Sequence, residues 1–190
     1  RTIVIYGWSD EVEAHRQQGI LLAKRAIKSA AEDAAVLASV ANDLSVLEQS
    51  VELALLLAER AVAINPGSAN VWFNCGWVRF MAGEIEAAIE HFETAMRLDP
   101  AGANRPAYLL YLGAAHFFAQ RFEQAAALLR ERNQYSESPG GAAFLAASYG
   151  HLGQTGAARQ ALARYRALTP LPIESLARTF LDPGQRRMLL

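Results

Sequence analysis

Apolar and small residues recur along this chain at helical spacing, and the run from Ala69 to Pro100 shows the pattern most clearly. Trp72 and Gly76 fall one turn apart on one face of a first helix, the glycine removing a side chain where a partner helix has to come close. Ala88, Phe92 and Ala95, at steps of four and three, make one stripe of a second helix in which small residues alternate with a large one. Gly83 lets the chain reverse between them. Pro100 follows Asp99 and cannot continue the second helix, because its ring lacks an N–H and clashes with the preceding turn. The run therefore predicts two antiparallel helices interlocked along one seam.

The same pattern spreads in both directions. Ala54, Ala58, Ala61 and Pro66 copy Ala88, Phe92, Ala95 and Pro100 at an offset of 34 residues. Before them, residues 30–42 are apolar enough to pack, and the connection from Asp43 to Gln49 is longer than a standard repeat turn, so an irregular pair is expected there. Ala101 to Asn104 reads as a loop, after which Asn104 and Pro106 open a helix carrying Leu109, Leu112 and Gly113. Its partner holds Ala125 and Leu129. Asn133 to Gly141 is a lengthened polar loop, and Leu145, Ala146, Tyr149, Ala158, Leu162 and Pro170 form another pair. Ser9 to Ala30 reads as an amphipathic helix like the second member of a pair, and Asp182 with Pro183 starts a last short helix.

Trp72, Gly76, Ala88, Phe92, Ala95 and Pro100 stand at the spacings of the tetratricopeptide repeat, which this chain resembles. Cys75 and Arg79 depart from the usual leucine and tyrosine, and the other units keep fewer landmarks. The resemblance implies an all-α, tetratricopeptide-like helical-hairpin solenoid winding as a right-handed superhelix, with a concave wall for partners. The expected units are a partial repeat over 1–31, an irregular repeat over 32–68, the best match over 69–102, repeats over 104–138 and 139–171, and C-terminal helices over 172–190.

The runs Leu57 to Pro66, Trp77 to Gly83 and Ala87 to Phe92 also resemble the C-terminal repeat regions of bacterial class III adenylate or guanylate cyclases. Similar regions follow winged-helix regulatory domains. Both architectures imply a regulatory or protein-binding array behind an N-terminal effector domain, and no residue of a cyclase core can be carried over. The chain starts at Arg1 without an initiator methionine, which fits a piece of something longer. Uncapped ends would expose Ile3, Ile5 and Trp8 at one side and Leu189 and Leu190 at the other, favouring self-association.

In such a fold the first helix of each pair lines the concave face. The expected partner-binding residues are Asn70, Phe73, Asn74, Trp77 and Phe80, then Leu110, Tyr111 and Phe117 on a stripe with Ala114, then Phe144 beside Ala143 and Ala147. The basic residues that grip a terminal carboxylate in better known peptide-binding arrays are absent from these stripes. An aromatic stripe at this spacing serves a core equally well, and accessible area decides between the two readings.

Composition changes this picture little. The chain has 190 residues, 52% hydrophobic, with a formal net charge of -1, which suits a soluble helical chain with a sizeable core. No run of about 18 apolar residues could span a bilayer. A single cysteine rules out an internal disulfide and fits the reducing cytoplasm. Acidic residues (Glu32, Asp33, Asp43, Glu48, Glu52, Glu59) gather early and arginines (Arg159, Arg164, Arg166, Arg178, Arg186, Arg187) late, a polarity compatible with head-to-tail association.

Catalytic chemistry is not signalled. His15, His91, His116 and His151 show no ligand spacing, so no metal is expected. His91 reads as a solvent-facing helix residue and His116 as an inter-helix contact. Glu84, Glu86 and Glu90 read as a solvated helix face, and Cys75 as a buried, inert thiol. The expectation is a non-enzymatic interaction or regulatory module without a cofactor. Its partner is a protein or peptide, or an effector domain of the same chain. The alternative is a homodimerisation module; neither a membrane nor a nucleic acid is expected.

Overall fold

The computed structural model describes residues 17–18, 20–21, 25–28, 32–45, 51–178 and 183–189. Ile3, Ile5, Trp8, His15 and Leu190, singled out above, lie outside the described residues, as does the connection at 46–50. The chain divides into two compact units, Arg1–Leu98 and Asp99–Leu190. Among the described residues all regular structure is helical.

The first unit holds two helical hairpins. Helix α1, Ala34–Leu44, packs against α2, Val51–Ile64, and α3, Ala69–Met81, packs against α4, Ile85–Leu98. Helix α3 also lies against both α1 and α2, so the hairpins stack and share a core. That core joins Leu37, Ala38, Ala41 and Leu44 to Ala54, Ala58 and Ala61 and to Val71, Cys75 and Val78. Asp33 caps α1, its carboxylate accepting from the backbone N–H of Ala35 and Val36 at 2.9 and 3.1 Å. Ser68 caps α3 in the same way. Of the helix expected over Ser9 to Ala30, residues 17–18, 20–21 and 25–28 are described and helical, with Ile20, Ala26 and Ile27 against the shared core.

The predicted seam of the second hairpin is present. A side chain carbon added at Gly76 would stand 2.8 Å from the Phe92 ring, closer than atoms can approach, so the glycine is what admits the phenylalanine. Phe92, Ala88 and Ala95 are without solvent exposure. Gly83 turns the chain at φ 83°, the left-handed conformation that glycine tolerates. Arg79, where tyrosine was expected, reaches from α3 to Glu59 of α2 at 3.3 Å and to Glu84, tying the hairpins at their surface.

The second unit repeats the arrangement. Helix α5, Arg105–Phe118, pairs with α6, Phe122–Asn133, and α7, Pro139–His151, pairs with α8, Thr155–Leu168. Gly113 does for Leu129 what Gly76 does for Phe92, since an added carbon would lie 2.8 Å from the leucine. Asn104 begins α5 at the expected place but makes no side-chain cap. Short helices α9, Ile173–Ala177, and α10, Pro183–Leu189, follow. Leu189, expected to be exposed, is buried at 3% exposure, because α10 packs on α7 and the Met188 carbonyl meets His151 Nε2 at 3.2 Å.

Candidate functional site

The predicted groove residues fall into two sets, one in each unit, and the structure sorts them by exposure. In the first unit, α1 and α3 lie side by side as the first members of their hairpins. Asn70 on α3 is exposed, and Phe73, Asn74 and Trp77 are half-buried. Phe73 keeps one side on the core through Phe92, ring centroids 5.7 Å apart, and Trp77 sits 6.0 Å from the Phe80 ring. Phe80 itself is a correction: at 1% exposure it belongs to the core, in contact with Phe92 edge-on. In the second unit Leu110 and Tyr111 on α5 are half-buried.

Phe117 and Phe144 are corrected in the same sense. Phe117 has no exposure and Phe144 4%, because the two rings meet each other at 5.6 Å and both meet Phe118. Phe122 adds an edge contact to Phe117 and stacks face to face on His151 at 4.3 Å. These aromatics knit α5, α6 and α7 together. They are not available to a partner.

The open residues of the first unit are joined by a chain of amides. Asn42 of α1 donates through Nδ2 to Asn74 Oδ1 at 2.8 Å, and Asn74 Nδ2 donates to the Asn70 carbonyl at 2.8 Å and to Asn70 Oδ1 at 3.2 Å. The three side chains fix one another's orientation and run from the buried Asn42 to the exposed Asn70. Sequence reasoning missed Asn42. Its signal was a polar residue set among Leu37, Ala38, Ala41 and Leu44, a place where an amide stays only if it has a hydrogen-bonding partner.

The remaining polar groups have structural roles. Cys75 is fully buried, its thiol meets the Ala58 carbonyl at 3.2 Å, and burial pushes its pKa up to about 12, so it is no nucleophile at neutral pH. His91 is half-buried rather than solvent-facing: Nδ1 meets the Ala87 carbonyl at 2.8 Å and the ring packs edge-on against Trp72 at 4.9 Å. His116 is half-buried on α5. Glu84, Glu86 and Glu90 are exposed. Arg132, also missed by sequence, is buried and donates to the Ser136 carbonyl, holding the lengthened loop to the end of α6. Among the described residues no three His, Cys, Asp or Glu side chains converge as metal ligands, and no helix is long and apolar enough to cross a membrane.

A first helix bearing Trp72 and Gly76, a left-handed turn at Gly83 and a second helix closing on Phe92 together match one known motif. Residues 69–101 match the tetratricopeptide repeat family. Among solved structures, the chain resembles the crystal structure of MamA at 16% identity and TM-score 0.64, over 84% of this chain and 94% of that one. It resembles YrrB, described as a TPR protein with an unusual peptide-binding site, at 20% identity and TM-score 0.61, over 88% of this chain and 87% of that one. The Naa15/Naa10 complex bound to HypK-THB gives 18% identity and TM-score 0.51 over 94% of this chain and 27% of that one. No curated protein matches the sequence. At these identities the likeness is one of fold, an all-α helical-repeat solenoid.

Proposed function

We propose that this chain is a non-catalytic protein–protein interaction module that holds an apolar or amphipathic segment of a partner on the first-helix face of its first unit. The observation that carries the reading is the oriented amide run Asn42–Asn74–Asn70 beside the half-open rings of Phe73 and Trp77. Such a face offers aromatic area for burial and fixed polar atoms to set register. Leu110 and Tyr111 offer a smaller surface of the same kind on the second unit. The peptide-binding site named for YrrB supports a peptide or protein as the partner class. The resemblance of residues 57–66, 77–83 and 87–92 to cyclase-linked and winged-helix-linked repeats supports a cytoplasmic regulatory segment of a bacterial signalling protein. In that reading an effector domain, a nucleotide cyclase or a DNA-binding domain, precedes the array. The reading frame upstream of Arg1 tests this last part directly.

The groove is tested with a displayed library of random peptides selected on the wild-type chain. Trp77→Ala is expected to weaken the selected peptides by roughly 2 kcal/mol or more while circular dichroism and thermal unfolding stay close to wild type. Equal binding by a well-folded Trp77→Ala protein overturns the proposal. So does a Trp77→Ala protein that fails to fold, since the ring would then serve the core.

A further inference from the structure

Of the large apolar side chains left exposed among the described residues of the first unit, Leu21 and Leu98 stand apart and the other three lie on α2. Leu53, Leu56 and Ile64 are 40%, 64% and 37% exposed, and at 100° per residue they fall within an arc of about 100° that also holds Arg60 and Ala63. Leu53 and Leu56, three residues apart, leave adjoining apolar surface open on this helix. The charges around them point to what covers it. Glu52 and Arg60 are each four residues from Leu56, on opposite sides, and both are exposed. Two copies of α2 crossing antiparallel with the two-fold axis at Leu56 set Leu56 against Leu56 and Glu52 of each copy against Arg60 of the other. Within its own chain Arg60 pairs with Glu32 at 2.6 Å, where the two side chains are 50% and 81% exposed, so the guanidinium is free to exchange partners. The neighbouring Glu59 is engaged by Arg79.

We propose that α2 is a self-association surface, and that its occupant is the α2 of a second copy of this chain in antiparallel orientation. The proposal stands independently of the peptide groove, which lies on α1 and α3. A helix of 14 residues buries well under the roughly 800 Å² per partner of a standard interface, so the dimer is a weak one.

Sedimentation velocity across a concentration series tests it on the chain as it stands. The wild type is expected to move from monomer to dimer, and Leu56→Glu, at a solvent-exposed position, to weaken association by at least about tenfold with an unchanged helical spectrum. Glu52→Arg and Arg60→Glu are each expected to weaken association, and the double exchange to restore it, because the pair is then complementary with its signs reversed. Leu56→Cys is expected to give a disulfide-linked dimer under mild oxidation, against a silent background because Cys75 is buried. A wild type monomeric at every concentration overturns the proposal. It is overturned as well by a dimer that survives Leu56→Glu, or by a double exchange that fails to restore association.

Discussion

Phe92, itself without exposure to water, touches the rings of Phe73 and Phe80 and fills the space left by Gly76. Truncation to alanine removes a large ring from between two helices that cannot close the gap, so Phe92→Ala is expected to lose about 3–5 kcal/mol of stability. Urea unfolding measures it, and an unchanged midpoint would show that the hairpin register is wrong. On the neighbouring turn, burial is the main cause holding the His91 imidazole below its ordinary 6.5, with the Arg79 charge acting in the same direction. The Ala87 hydrogen bond, Glu90 and Glu84 oppose it. A histidine whose folded pKa lies below its unfolded one favours the native state when neutral. Its contribution is thus complete above about pH 6.5 and is lost as the pH falls from there through the lower folded value. Thermal unfolding between neutral and mildly acidic pH is expected to show a stability loss in the wild type that is reduced in His91→Gln.

The helices end in a shared way that the sequence only partly shows. After α3 the N–H groups of Gly83 and Glu84 return to the carbonyls of Phe80 and Arg79; after α7 those of Gly153 and Gln154 return to Gly150 and Tyr149. Both glycines have positive φ, as this double return requires. After α5 the same bonds form from Gln120 to Phe117 and from Arg121 to His116, but a glutamine occupies the left-handed position at φ 59°. A side chain there crowds the backbone, so Gln120→Gly is expected to raise stability by about 1 kcal/mol, less whatever the freer unfolded chain takes back. Differential scanning calorimetry decides it, and a lower melting temperature would mean that the Gln120 side chain has a role of its own. Glycine and proline made the turns at 83 and 100 legible in the sequence. Nothing in the residues 119–121 did, because there the fold imposes the conformation on a residue that does not prefer it.

For the whole molecule, local ion pairs take up part of the acidic start and basic end seen in the sequence: Glu32 pairs with Arg60, Glu59 with Arg79 and Arg164 with Glu137, while Arg79–Glu84 and Arg105–Glu131 pair elsewhere. Pairs this exposed contribute about 0–1 kcal/mol each. With a net charge of -1 and no cation among the open groove residues, peptide binding to the α1–α3 face is expected to change little between low and high salt, where a charge-driven site would weaken steeply. Isothermal titration at several ionic strengths completes the Trp77→Ala experiment. The helical hairpins and their seams were legible from the residues alone, because helical period, Gly76 against Phe92 and the breaks at Gly83 and Pro100 are local geometry within one repeat. Which members of a stripe remain open depends on packing between helices far apart in the chain. Phe73, Trp77 and Phe80 lie on one side of one helix, and Phe117 stands in the corresponding place on α5, yet Phe80 and Phe117 are sealed. Spacing gives a side chain its direction, whereas the neighbouring helix packed opposite it determines whether it still meets water.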